Sequence, residues 1–534
     1  MATVDRSRTT VAAATVARAI RYVDEEARKQ MIDSNLVGKF IATSERSHDA
    51  IFLRTPSGKR LSYRDLWNDV AAYRAALDAH GVQSGDRVMV QVEKSPEAIS
   101  LYLATLSAGA AFVPLNTGYT EAELRHFLTD AAPRLFIADP ARRSDLTALA
   151  RGCGVDRVET LGMDGSGSLP EAAATAPASL SIEPCGPDHI AAILYTSGTT
   201  GRPKGAMLTH RNLGANAEAL CVAWEITGRD VLLHALPIFH AHGLFVAINT
   251  TLLAGAGLIF LPKFEVDVVL QALPEATTMM GVPTFYTRLL DDPRFDAAAT
   301  AHMRLFVSGS APLLENTFHA FRECTGRAIL ERYGMTETGM NTSNPLHGER
   351  KAGSIGPALP GVEVRVADDA GRALGTGKVG VLEVRGPNVF RGYWNMPERT
   401  AEDFRQDGFF ITGDLARIDP EAYVWLVGRA KDLIITGGYN VYPKEVEVCL
   451  DALPGIRESA VIGVPDSDFG EAVVAVVVAD DPAQPPVAEA LVSELRSSLA
   501  RYKLPKRIVF VDNLPRNTMG KVQKNLLRDA IAGN

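Results

Sequence analysis

AAILYTSGTTGRPKG, residues 191–205, runs from an apolar stretch straight into residues dominated by glycine, serine and threonine. A short apolar run bounded by turn residues reads as a buried strand. The loop that follows therefore leaves a strand end, where α/β sheets hold their ligands. Gly198, Gly201 and Gly205 let the backbone turn tightly and bring its amides close to a ligand. Thr196, Ser197, Thr199 and Thr200 add hydroxyl donors and Lys204 adds a cation, a set suited to phosphate. The loop is not of the G-x-x-x-x-G-K-[ST] type, because Pro203 stands where the second glycine is required.

On both sides of this loop the chain alternates helical and strand signals. Upstream, a helix over 63–79 closed by Gly81 precedes a strand over 88–92. Ser95 and Pro96 start a second helix leading to the apolar run 110–115, and a third near 121–128 precedes a strand over 135–138. Downstream, strands are expected over 231–236, 278–282 and 305–307, and 243–262 reads as a helix followed by a short strand. This alternation predicts parallel α/β sheets whose loops 237–243, 308–312 and 333–338 converge.

Between 353 and 428 short β runs separated by Gly, Pro and Asp replace the helical period, which predicts a small β-barrel or sandwich element. Gly375, Gly377 and Gly380 match G-x-G-x-x-G there but open no helix, so they read as a hairpin turn. A compact α+β pattern begins near 428–432. The expected organisation is a large N-terminal domain, 1–430, and a smaller C-terminal α+β domain, 431–534.

Composition narrows the function. With 55 Lys and Arg against 63 Asp and Glu the net charge is −8, which lacks the basic footprint of a nucleic-acid binder. The five cysteines are scattered and form no C-x-x-C, as in a reducing compartment. Residues 243–262 carry no charge, but Asn249, Thr250, Thr251, Gly255 and Gly257 interrupt them, so stable membrane insertion is not expected. Arg6, Arg8, Arg18 and Arg21 face only Asp5 near the N-terminus, without a long apolar segment; a cytoplasmic protein is expected.

Five motifs carry a resemblance: YTSGTTGRPKG (195–205), ERYGMTET (331–338), TGD (412–414), GRAKDLIITGGYNVYPKEVE (428–447) and PRNTMGKVQK (515–524). In this order they resemble the adenylate-forming superfamily of acyl-CoA synthetases, luciferases and peptide-synthetase adenylation domains. Within it, RLFVSGSAPL, GVPTFYTRLL, HALPIFHAHGLFVAINTTL and LPRNTMGKVQK are most similar to malonyl-CoA synthetases. The resemblance implies that a carboxylate attacks the α-phosphate of ATP to give acyl-AMP and pyrophosphate, after which CoA displaces AMP.

It also implies roles. The β- and γ-phosphates would lie along Thr196, Ser197, Gly198, Thr199, Thr200, Gly201 and Lys204, with Glu337 holding Mg²⁺. Tyr333, with Gly334 and Met335, would pack on adenine, Thr336 would reach the α-phosphate, and Asp414 would accept from the ribose hydroxyls with help from Arg429. Lys521 would pair with the α-phosphate and the acid during adenylation only. Lys431 would be a hinge, and Gly437 with Gly438 would approach the CoA tunnel after the smaller domain swings. Asn517 and Met519 depart from the threonine and the small hydroxyl residue that many relatives carry beside this lysine.

For the acid, a malonate-type second carboxylate needs a buried cation. Arg304 is the expected partner, with His240, Ser308, Gly309 and Ser310 around the same acid. Methylmalonate or a short monocarboxylate are the alternatives. A carrier-protein-loading adenylation module is a more distant one, expected to sit beside a carrier domain.

Overall fold

A computed structural model describes residues 35–177, 179–196, 203–437, 439–466, 469–517 and 520–532. Ser197, Gly198, Thr199, Thr200, Gly201, Gly438, Met519 and the N-terminal arginines lie outside them. The architecture is α/β, with parallel sheets in a large N-terminal part and a smaller α+β C-terminal part. Contacts divide the described residues into two compact units. The first holds those of Met1–Met280, Met335–Met340 and Pro387–Glu402, the second those of Gly281–Gly334, Asn341–Gly386 and Asp403–Asn534.

The first unit contains a seven-stranded sheet in the order Gly392–Tyr393, Lys204–Thr209, Ile190–Thr196, Ala111–Pro114, Arg87–Gln91, Leu135–Ala138, Val158–Thr160. From Ile190–Thr196 onward the strands are parallel, as expected. Side-chain caps place the helices between them: Ser62 and Asp65 form a reciprocal box at the start of Tyr63–Ala79, and Ser95 accepts from the Ala98 amide before Pro96–Ser107. Met89, Val113, Phe127, Leu128, Phe136 and Ile193 make one core beneath the sheet. Burying each such side chain contributes about 1.5–3 kcal/mol.

The phosphate loop departs from expectation. Ile190–Thr196 turns back as an antiparallel hairpin onto Lys204–Thr209, with Thr196 opposite Lys204, so no helix follows the loop directly. Tyr195, Thr196, Lys204 and Gly205, read from sequence as loop, are strand residues. The signal was the alternation after Lys204, and Gly205 is needed there because a Cβ would meet the Ile193 side chain at 2.9 Å.

A second strand group in this unit runs Thr278–Gly281, Val231–His234, Gly257–Phe260, Ile51–Arg54, Arg60–Ser62. The uncharged stretch 243–262 resolves into a π-helical segment His242–Ile248, the helix Asn249–Ala254 and the strand Gly257–Phe260. No helix of the described residues is long and apolar enough to cross a membrane.

In the second unit Leu305–Ser308 pairs in parallel with Leu330–Met335. The short β runs form an antiparallel four-stranded sheet, Glu363–Ala367, Gly380–Arg385, Phe410–Ile418, Val424–Arg429. Gly377, at φ 77°, lies in the connection before the second of these strands, as the hairpin reading required. The C-terminal segment builds a five-stranded sheet around Gly470–Ala479 and Ile456–Asp466, packed through Val461, Val473, Ala475 and Val477 on Leu491 and Leu495 of the helix Ala488–Leu495.

Candidate active site

In the second unit the TGD segment ends at a cross-strand pair. Gly413 takes φ 73°, the Thr412 hydroxyl accepts from the Asp414 amide, and Asp414 stands opposite Arg429 in register. Arg429 Nε lies 2.8 Å from Asp414 Oδ1, and the Tyr333 hydroxyl donates to Oδ2. Each carboxylate oxygen has a further acceptor site, so Asp414 is oriented and can still accept hydroxyl hydrogens. Tyr333 packs among Ile355, Val366, Leu382 and Val424; burial, then the Asp414 charge, pushes its phenol well above the usual range and keeps it a donor.

Lys521 belongs to the same unit. The residue is exposed, yet its ammonium is crowded; desolvation, then Arg429 and Lys431, lower its pKa to about 8 against the opposing pull of Asp414 and Asp432. Asn517 holds the loop in place. Its amide donates to the Lys521 carbonyl, and its side-chain oxygen accepts from the Lys521 amide, both at 2.9 Å. Asn517 therefore engages both backbone polar groups of Lys521. Lys431 is exposed, its pKa lowered first by desolvation, and Gly437 adopts φ 56° against the Phe469 ring.

In the first unit Glu337 is buried, and the Tyr393 hydroxyl donates to its Oε1 at 3.1 Å. Lys204 Nζ sits 4.0 Å above the same Tyr393 ring. A carboxylate and a cation thus share one aromatic spacer at the foot of the phosphate loop. Asn216 and Asn388 fix the adjoining turn through both polar groups of Met340 and the Thr338 carbonyl. The hairpin is clamped from outside: Tyr195 donates to Asp130 at 2.6 Å, and Trp394 donates to the Asp130 carbonyl. Tyr393, Asn216, Asn388 and Asp130 were not singled out from sequence; each sits in a segment without a motif of its own.

The acid-side residues are distributed differently from expectation. Ser308 ends the strand Leu305–Ser308, fully buried, and its hydroxyl has no partner among the described residues. Gly309 follows with its α-carbon pressed against a guanidinium: a Cβ there would lie 2.4 Å from Arg332. Ser310 takes φ 70° beyond it. Arg332 is 3% exposed, and its Nε and Nη2 make no hydrogen bond to any described residue. Burial lowers its pKa to about 10, so it stays a cation at neutral pH. Arg304 instead precedes the strand, at its amino end, about 13 Å of chain from Ser308. The buried positive charge beside Ser308 and Gly309 is Arg332, not Arg304. The overlooked signal was an arginine inside a buried strand, in the register position facing a glycine. His240 is half-buried in the other unit, just ahead of the π segment His242–Ile248.

A family model described as AMP-binding enzyme matches residues 40–394, and one for the AMP-binding enzyme C-terminal domain matches 445–521. The chain belongs to the AMP-binding enzyme family. ATP-bound MatB of Rhodopseudomonas palustris is similar at a TM-score of 0.91 and 54% identity, covering 94% of this chain and 99% of that one. A malonate–CoA ligase of Arabidopsis thaliana is 37% identical over 486 residues, covering 85% of this chain and 79% of the relative. A feruloyl-CoA synthase of Amycolatopsis sp is 39% identical over 475 residues, covering 88% and 94%. This AMP-binding enzyme is thus an ATP-dependent acyl-CoA ligase resembling the malonyl-CoA synthetases, and the relatives differ in the acid they name.

The crowded lysine gives the AMP-binding enzyme a pH signature. The Lys521 pKa is lowered to about 8, so if this lysine serves acyl-AMP formation the kcat/KM for that step is expected to fall above that pH. Pyrophosphate release followed from pH 6 to 10 checks this; Lys521→Arg, charged throughout, removes the alkaline limb if the lysine causes it.

Proposed function

We propose that this enzyme joins malonate to CoA. A malonate oxygen attacks the α-phosphorus of ATP, the bond to pyrophosphate breaks, and malonyl-AMP forms; the CoA thiolate then attacks the acyl carbon and AMP departs. The observation that carries the choice of acid is the buried Arg332 guanidinium with two nitrogens unpaired beside Ser308 and Gly309. A buried cation with two nitrogens lacking hydrogen bonds is costly even with Glu331 acting on it, and a carboxylate ligand reduces that cost through charge-assisted hydrogen bonds. An aromatic monocarboxylate, as in the feruloyl-CoA synthase relative, offers it no second charge.

We take Tyr333, Asp414 and Arg429 as the nucleoside group and Glu337, Thr196 and Lys204 as the phosphate group. Asp414 and Arg429 receive the ribose, Tyr333 with Gly334 and Met335 the adenine, Thr336 the α-phosphate, and Thr196 with Lys204 the phosphates released as pyrophosphate. Charge builds on the transferring phosphorus, so positioning and electrostatics do most of the work. Glu337 fits Mg²⁺: it is a hard, buried carboxylate with one oxygen steadied by Tyr393, beside a phosphate site. Mg²⁺ would neutralise phosphate charge there.

CoA is the second-step substrate, reached in our reading by a swing of 431–534 about Lys431 that withdraws Lys521 and brings up Gly437 and Gly438. None of the five cysteines forms a disulfide, in keeping with the cytoplasm. ATP-dependent pyrophosphate release over malonate, methylmalonate, succinate, acetate and propionate tests the acid. Malonate is expected to lead propionate by about 100-fold in kcat/KM, the worth of one to two charge-assisted bonds; parity between them would sink the dicarboxylate reading.

A further inference from the structure

Lys94 follows the strand Arg87–Gln91 and precedes the helix Pro96–Ser107, where it is 8% exposed. Its Nζ lies 2.8 Å from His234 Nδ1 and 3.0 Å from the His234 carbonyl oxygen, and 4.3 Å above the centre of the Phe260 ring. Among the described residues no carboxylate pairs with it, and desolvation pulls its pKa far down. A lysine sealed in this way is expensive to keep, and neither the phosphates nor the acid were assigned to it.

His234 is 1% exposed at the end of the strand Val231–His234, and its Nε2 lies 2.8 Å from the Gly243 carbonyl oxygen. A carbonyl can only accept, so Nε2 carries the hydrogen and Nδ1 offers its lone pair to Lys94. Burial, then the neighbouring Lys94, keeps the ring neutral. The chain of donors is therefore one-way, from Lys94 to His234 to Gly243.

Gly243 is the second residue of the π-helical segment His242–Ile248, a kind of turn that recurs at functional sites. The fold-back is so close that a Cβ at Gly243 would lie 2.0 Å from the Pro237 carbonyl oxygen, and the Leu244 amide donates to the His240 carbonyl across the same turn. Ala241 and Phe245, either side of it, line a small cavity with Leu208, Leu213 and Thr336. What fixes Gly243 therefore fixes the wall of that cavity and the backbone of His240.

We propose that Lys94 and His234 are positioning residues for the acid: the relay to Gly243 sets the turn that presents His240 and Phe245 to the carboxylate substrate. The inference rests on the acid-pocket reading of 237–243. Lys94 touches no reacting atom. It locks the His234 tautomer, and the tautomer holds the turn.

The test combines kinetics with nitrogen NMR. In the full-length enzyme at pH 7, ¹⁵N-histidine spectra should show His234 as the neutral tautomer with hydrogen on Nε2, its Nδ1 shifted by an accepted hydrogen bond. Lys94→Met, which keeps the length but removes the donor, should abolish that shift and raise the KM for the acid by about tenfold while leaving the KM for ATP within about twofold. His234→Gln, whose amide still donates toward Gly243, should recover part of the acid KM that His234→Ala loses. A wild-type His234 that is an imidazolium or carries hydrogen on Nδ1 overturns the proposal, whether or not any variant folds. So does a Lys94→Met enzyme that melts earlier with an unchanged acid KM, or one whose ATP and acid KM rise together. Arg332→Met assayed in parallel separates the two readings. An acid KM that responds to Lys94→Met but not to Arg332→Met keeps the relay and removes the Arg332 assignment.

Discussion

Replacing Lys521 by alanine is expected to cut acyl-AMP formation by about 10²- to 10³-fold, the usual cost of removing one preorganised group that meets developing charge. Conversion of supplied malonyl-AMP and CoA to the thioester should stay within about twofold of wild type. The split follows from where the lysine sits. Its loop is closed by two hydrogen bonds through Asn517, and its ammonium is held beside Arg429 and Asp414, so it faces the group proposed to bind the nucleoside. The substitution leaves both Asn517 bonds possible, because they use only the Lys521 backbone. Pyrophosphate release measures the first half-reaction and thioester absorbance the second. Equal damage to both would contradict a lysine that serves adenylation alone.

Arg332→Met should lower kcat/KM for malonate by about 100-fold while leaving propionate unchanged or better. The same change should raise the melting temperature of the ligand-free enzyme, because a desolvated guanidinium with two nitrogens lacking hydrogen bonds gives way to an apolar side chain of similar length. Few substitutions lower activity and raise melting temperature together, so the two readouts guard against a general folding defect. Arg304→Ala is the natural comparison, and little change is expected in either readout from a side chain at the far end of the strand. Malonate kinetics indifferent to Arg332→Met but lost in Arg304→Ala would return the assignment to the arginine expected from sequence.

Much of the fold was legible because local signals agreed. Ser62, Ser95 and Thr120 are side-chain caps that announce their helices, and 135–138 is an unbroken apolar run that became a strand with the same limits. The hairpin at Lys204 was not legible, since a loop rich in Gly and Thr hides where pairing resumes. Tyr333, Asp414, Arg429 and Lys521 share one compact unit, whereas the sequence put Lys521 in a separate C-terminal domain, 431–534. Arg332 was missed for a physical reason. A motif names residues one at a time, whereas its importance comes from burial and from Gly309 beside it, which only pairing between strands reveals. Lys94 belongs to no motif, His234 only opens the stretch HALPIFHAHGLFVAINTTL, and their contact spans 140 positions.

The seven-stranded sheet has one more consequence. Its edge beside Lys204–Thr209 is completed by only two residues, Gly392 and Tyr393, and the same tyrosine steadies Glu337 and lies under Lys204. Tyr393 stands 189 positions after Lys204 in the chain. At about 5–20 residues per second, a ribosome takes roughly 10–40 s to make them. A hairpin that folds in that interval presents a bare strand edge at Lys204–Thr209, the kind of surface that recruits stray strands. Emergence of Tyr393 closes that edge and brings the ring that contacts both Lys204 and Glu337, so one residue completes the sheet and joins the two charged side chains.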